Sequence, residues 1–282
     1  MLIVLGMTSV YLIVEVVTGL ATGSLAMLAD AGHMLSDVGA LLLGLLAVWF
    51  SSRPATHGKT YGYYRSEILA GFFNALILVA ISIFILYEAY HRLTNPPTVM
   101  GLPVLVVAVL GLVMNVCSLR LLKPSAQDSI NARAAYLEIL GDSLASFGVI
   151  LSSTIILLTK WYIADPIISG LIGLWILPRT WLLLSECINI LMEGAPGHVN
   201  ISDLRKSLLA VDGVIDVHDI HVWTITSGLD AMSGHVTIDN RAPSEDVLTA
   251  VTKILNDDFH LHHTTIQVEQ IECKGSGEIC ST

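Results

Sequence analysis

Long apolar blocks separated by short polar breaks fill residues 1–193 of the chain. Six blocks, at roughly 1–20, 24–50, 66–90, 100–122, 131–159 and 163–192, are long enough to cross a bilayer, which takes about 20 residues per helical span. The breaks carry turn chemistry: "TGS" at 22–24, "SSRPATHGK" at 51–59, "TNPP" at 94–97 and "KPSAQDS" at 123–129. Pro166, in "ADP", suits a helix start, and Pro178 falls inside the sixth block, where it should kink the helix. Beyond residue 194 the pattern changes. "NISDLRKSLLAV" opens on a capping residue and has helical periodicity, and "APSEDVLTAVTKILNDDF" reads as a capped amphipathic helix. "GVIDVHDIHVWTI", "DAMSGHVTID" and "HHTTIQVEQIE" alternate as strands, with "TSG" between the first two. The expectation is a membrane α-helical part of six transmembrane helices, then a small α+β domain of order α-β-β-α-β with its helices on one face of a sheet.

Composition sharpens the division. Hydrophobic residues make up 54% of the 282 and charged residues 13%, with a mean hydropathy of +0.70, where a soluble domain carries about a quarter charged residues. Residues 1–193 hold 9 basic and 11 acidic residues, whereas 194–282 hold 5 and 13, a net of −8. Such acidity argues against nucleic acid as a partner and suits cations. The opening "MLIVLGMTSVYLIVEVV" lacks a basic n-region and a cleavage site, so it reads as a spanning helix rather than a signal peptide. The chain enters lipid almost at once, as expected if a cytosolic N-terminal tail precedes it. Arg53, Lys59, Arg65, Arg120, Lys123 and Arg133 lie on one side, against Arg92 and Lys160 on the other, which places both termini in the cytosol. Cys117, Cys187, Cys273 and Cys280 fit no dense disulfide framework.

Two apolar runs carry charge where lipid would forbid it. His33 and Asp37 in "LADAGHMLSDVGA", and Glu138 and Asp142 in "YLEILGDSLASFG", are spaced i, i+4, so each pair shares a helical face. An ionisable group at the bilayer centre costs at least about 2.5 kcal/mol. A divalent cation is the simplest compensation, and the two pairs together offer one nitrogen and three oxygen donors, enough for a tetrahedral site. Spacing alone does not bring the pairs together. Glu15 and Asp30 are read as hydrogen-bonded to neighbours, and Ser36, Ser143 and Ser146 as helix-packing residues. Imidazole titrates near neutral pH and crowded carboxylates also take protons, so metal and protons would compete for one site. The small residues Gly32, Gly39, Ala40, Gly141, Ala145 and Gly148 let the two helices slide closely.

"GSLAMLADAGHMLSDVGALLL", "KTYGYYRSEILAGFFNALIL", "NARAAYLEILGDSLASFGVI", "ADPIISGLIGLWIL", "LMEGAP", "GVIDVHDIHVWTITSG" and "HHTTIQVEQ", in this order over essentially the whole chain, resemble the cation diffusion facilitator family in its zinc/cadmium/cobalt-exporting branch. The resemblance implies a homodimer, six spans over residues 1–193 and a ferredoxin-like cytosolic domain over 194–273 that binds metal and dimerises, with 274–282 as a flexible tail. It implies Zn²⁺ export in exchange for protons, with His33, Asp37 and Asp142 as ligands; Zn²⁺ is then both cargo and regulatory ligand, with no organic cofactor and no enzymatic activity. Glu138 departs from the pattern, standing where the zinc branch has histidine, which leaves Mn²⁺, Fe²⁺ and Co²⁺ open as cargo. A metal sensor without transport and an intramembrane metalloenzyme are the other classes; no HExxH motif supports the latter.

The resemblance also places a charge interlock at Arg65 and Glu193, and a metal site at His218, His235, His262 and Glu269; two unrelated interfacial charges are the plain reading of the first pair. Cys273 and Cys280 resemble a loose C-terminal cysteine pair, with free cysteines an equal reading. His221, in "HVW", reads as a packing residue. His57 lies in the 2–3 loop, where some relatives bind a second metal, but Tyr63 replaces a histidine there, so His57 is read as solvated. The short N-terminus and the absence of a His-rich loop between spans 4 and 5 point to a bacterial plasma (inner) membrane.

Overall fold

A computed structural model describes residues 2–51, 56–123 and 130–270. Six long helices come first: α1 (Leu2–Thr22), α2 (Leu25–Ser51), α3 (Arg65–Thr94), α4 (Gly101–Leu122), α5 (Ile130–Thr159) and α6 (Ala164–Leu191). Each lies within a few residues of an apolar block, because the polar and Gly/Pro breaks end the helices. Among the described residues, α1, α3, α4, α5 and α6 are long and apolar enough to cross a membrane. The sixth long helix, α2, carries Asp30, His33 and Asp37 along its 27 residues. Helix α6 continues through Pro178.

The chain divides into two compact units, residues 1–48 with 70–184, and 49–69 with 185–282. In the first, α5 packs along α4, and α1 packs on α4. Its core joins Leu25, Met27 and Ala29 of α2 to Ile85 of α3, Val104 of α4, and Val149 and Ile156 of α5. Large apolar side chains such as Phe84, Leu158, Trp175 and Leu182 point outward. That reverses the sorting of a soluble protein and suits a lipid surround.

The second unit holds α7 (Ile201–Leu209), β1 (Val214–Thr226), β2 (Leu229–Ile238), α8 (Ser244–Asp257) and β3 (His263–Glu269), in the order α-β-β-α-β expected of the sequence. The sheet order is β1-β2-β3. β1 and β2 form an antiparallel hairpin turned at Gly228 (φ +74°), while β3 runs parallel to β2 after crossing over through α8. Leu204 and Leu208 of α7 and Val247, Val251 and Leu255 of α8 share one core with Val217, Val222, Met232 and Val236 of the sheet. The Asn200 side chain caps α7, accepting from the backbone of Ser202 (2.9 Å) and Asp203 (3.3 Å). The cap expected on α8 is missing: Pro243 occupies that position and offers no side-chain acceptor. Glu245 and Asp246 in the first turn complement the helix dipole instead.

Candidate metal centres

Helix α2 meets α5 through charge. His33 Nε2 lies 2.8 Å from Asp142 Oδ1, and both side chains are largely shielded, at 10% and 16% exposure. The contact joins a ring nitrogen to a carboxylate oxygen and becomes an ion pair when the imidazole is protonated. One member of each i, i+4 pair therefore touches one of the other, the juxtaposition that spacing alone left open. Asp37 is half-buried one turn further along α2, on the face of His33. Glu138 precedes Asp142 by one turn on α5, but its side chain lies outside the described residues. A cavity of about 220 Å³ reaches His33, bounded by Gly141, Ala145 and Gly148 of α5 and by Ile172, Trp175 and Ile176 of α6.

Asp30 is hydrogen-bonded to a neighbour, as expected. It is 3% exposed and accepts a hydrogen bond of 3.2 Å from Ser146, so Ser146 is more than a packing residue. Glu15 is fully buried; Tyr11 acts on it from one turn earlier on α1, but that hydroxyl donates to Val107 O and neither Glu15 oxygen makes a well-formed hydrogen bond.

Asp165 escapes sequence reading altogether. From the first turn of α6 it accepts from Ser24 Oγ (2.6 Å), Leu25 N (2.7 Å) and Ala26 N (3.3 Å). Ser24 in turn accepts from Met27 N at 3.2 Å. Asp165 thus caps α2 from a different helix, satisfying backbone donors that a helix start leaves orphaned. Arg92 braces the same turn, donating to Gly23 O at 2.6 Å while paired with Glu88. This clasp fixes the end of the helix that carries His33. Asp165→Ala is expected to cost about 3 kcal/mol, because buried backbone donors lose a charged acceptor. Thermal melting of the detergent-solubilised protein measures this. Asp165→Asn, which keeps one acceptor oxygen, should lose less.

The second unit holds the other cluster. His218 and His235 face each other across the β1–β2 ladder, with ring centroids 5.3 Å apart. Glu269 of β3 reaches both, with Oε1 2.9 Å from His235 Nδ1 and Oε2 3.6 Å from His218 Nε2. One donor atom from each of the three lies within 4.8 Å of the others. Both ring nitrogens of His218 and Oε2 of Glu269 are buried without hydrogen-bond partners. Orphaned donors of this kind, in a His₂-carboxylate set, fit a zinc-type ion.

His262 is not brought into this group; its Nδ1 lies against Asn256 Oδ1. Asp219 stands nearer, with Oδ2 3.8 Å from His235 Nε2. A register shift between His218 and His221 puts Asp219 at φ +52° and turns His221 outward, paired with Asp219 at 3.0 Å. His221 is 52% exposed and so is not the packing residue expected. Cys273 and Cys280 lie outside the described residues.

Arg65 and Glu193 form an ion pair of 2.8 Å, both well exposed. Glu67, unremarked in the sequence, accepts from the β1–β2 turn through Thr226 Oγ1 (2.6 Å) and Ser227 Oγ (3.1 Å). His57 is exposed, as read.

Residues 1–192 match the cation efflux transmembrane domain, and residues 196–271 the cytoplasmic domain of cation efflux proteins. The chain belongs to the cation efflux family, the cation diffusion facilitators, as its motifs led one to expect. It is 46% identical over 273 residues to the metal cation efflux system protein CzcD of Cupriavidus metallidurans, covering 96% of this chain and 86% of that one. Against the zinc transporter ZitB of Escherichia coli it is 42% identical, covering 96% and 87%. Against the cadmium, cobalt and zinc/H(+)-K(+) antiporter of Bacillus subtilis it is 38% identical, covering 92% and 85%. These relatives are metal cation transporters, not enzymes.

Proposed function

We propose that this protein exports divalent metal cations, Zn²⁺ first among them, in exchange for protons, through an intramembrane site of His33, Asp37, Glu138 and Asp142. The observation that carries the reading is the 2.8 Å approach of His33 to Asp142, which joins the two polar helices inside an apolar unit. A ring nitrogen and a carboxylate oxygen held this close, from two different helices, can serve together as ligands of one ion. When the ion leaves, the imidazole and the carboxylates take up protons, so one site serves both cargoes. The name of the Bacillus subtilis relative, a cadmium, cobalt and zinc/H(+)-K(+) antiporter, supports an exchange that includes protons.

In this reading α2 is the sixth span, both termini are cytosolic, and the membrane is the bacterial inner membrane. Residues 1–193 form the transport domain. Residues 194–273 form a ferredoxin-like domain that dimerises and senses metal through His218, His235 and Glu269. Arg65 and Glu193 act as the charge interlock. Zinc uptake into sealed proteoliposomes driven by a pH gradient tests the whole. Metal binding without flux would sink the transporter reading and favour a sensor.

The cytosolic site has its own test. The fragment 194–282 contains the α7–β3 core and should take up Zn²⁺ and melt at higher temperature. Binding to the folded form alone adds about 2.7 kcal/mol at a free metal concentration about 100 times Kd. His235→Ala should abolish the shift. Calorimetry showing no uptake at micromolar zinc would remove the regulatory site.

A further inference from the structure

Glu15 has no place in the ligand set, yet it is a fully buried carboxylate of the transport unit. Its side chain is at 0% exposure, and neither carboxylate oxygen makes a well-formed hydrogen bond. Tyr11, one turn earlier on α1, has its hydroxyl committed to Val107 O of α4 at 3.1 Å. The titratable groups acting on Glu15 are Tyr11 on its own helix, Asp30 on α2 and Asp142 on α5, and none of these is basic. An unpaired carboxylate facing two others in an apolar interior costs several kcal/mol as an anion. The Tyr11 hydroxyl, already donated to Val107 O, offsets little of that cost, and a bound positive charge relieves the rest.

Two cations qualify, a metal or a proton. A metal of the zinc class takes about four ligands. Glu15 offers a single carboxylate on α1, apart from the His33–Asp142 contact that joins α2 to α5. A proton needs one oxygen. Glu15 sits seven residues before the end of α1 at Thr22, roughly 10 Å along the helix, and His33 lies eight residues into α2 from Leu25, roughly 12 Å along it, so the two stand at a similar depth below the α1–α2 turn. What sets Glu15 apart from the ligands is its helix, α1, where theirs are α2 and α5.

We propose that Glu15 is a proton-carrying carboxyl of the exchange, binding one proton at a place distinct from the metal ligands. The proposal rests on the antiport reading above. A divalent ion arriving at the ligands on α2 and α5 favours the Glu15 anion, and the proton leaves; when the ion departs, the proton returns. Linkage makes the effect mutual, so a protonated Glu15 weakens metal binding by the same factor.

Glu15→Gln keeps the shape and removes the exchangeable proton. Zn²⁺ binding to the full-length solubilised protein, followed by calorimetry in buffers of different ionisation enthalpy, counts the protons released. The cytosolic site contributes equally to wild type and variant. The expected result is about one proton fewer per transport-site metal in Glu15→Gln. Uptake in proteoliposomes should also depend less steeply on the pH gradient. Glu15→Asp, which keeps a carboxyl, should retain the wild-type count. An unchanged count in Glu15→Gln overturns the proposal, as does a count lowered equally in Glu15→Asp. A Glu15→Gln chain that fails to fold overturns it too, since a neutral isostere should replace a protonated acid without loss. If wild-type uptake ignores the pH gradient, the antiport reading falls and this proposal with it. If wild type is coupled and the variant behaves identically, this proposal alone falls.

Discussion

Asp142→Ala should lower zinc flux into proteoliposomes by at least about 100-fold while leaving a folded protein of unchanged elution volume. Asp142 is the carboxylate of α5 that meets His33 of α2 at 2.8 Å, with little exposure to water. In the proposed site, alanine removes both a ligand and the carboxylate that faces the imidazole. Losing a charge-assisted interaction in a buried site costs about 3 kcal/mol, and each 1.4 kcal/mol is a factor of ten. The cavity left is small and lies beside an existing one of about 220 Å³, so the helices need not rearrange. Asp37→Ala should behave alike. The double variant should be little worse than either single one, because ligands of one ion act as a unit and their losses do not add. Near-normal flux in Asp142→Ala would remove this residue from the site. Additive losses would indicate that Asp37 and Asp142 serve separate ions.

The periodic parts of this molecule were legible in the sequence because they follow from local rules. The long helices end where Gly, Pro and charge interrupt apolar runs, as at Gly23 and at the "TNPP" break after Thr94. The i, i+4 spacing placed His33 with Asp37 and Glu138 with Asp142 before any tertiary contact was known. What escaped depends on contacts distant in sequence. Asp165 caps a helix start 140 residues earlier, and Glu67 receives a hairpin turn some 160 residues later. No local signal marks either, since an acid in a first turn is ordinarily read as complementing its own helix. Strand alternation likewise misled at His221. The irregularity at Asp219 inserts a left-handed residue that turns the following side chains, so the face cannot be counted from His218. Buried acids usually find hydrogen-bond donors, and no local signal shows that the Tyr11 hydroxyl one turn from Glu15 donates to Val107 O instead.

Glu138→His should narrow transport towards Zn²⁺ and Cd²⁺ and away from Mn²⁺ and Fe²⁺, and Glu138→Ala should cripple it. Glu138 lies one turn from Asp142 on α5, at the position where the family resemblance implies histidine in the zinc branch. Glutamate supplies an anionic oxygen in place of a neutral nitrogen. Oxygen donors suit harder ions, while imidazole favours zinc and its borderline neighbours. With Asp37 and Asp142 the wild-type set offers three carboxylates and one imidazole; the variant offers two of each, closer to the ligand balance of zinc sites. The charge of the empty site also falls by one, so the variant should exchange fewer protons per metal and have a flatter pH profile. Competition uptake with paired metals, at several pH values, reads both effects. A preference for Zn²⁺ over Mn²⁺ that rises about tenfold corresponds to about 1.4 kcal/mol of altered discrimination, modest for a change of donor type. An identical metal ranking and an identical pH profile in wild type and Glu138→His would mean that this glutamate never meets the ion.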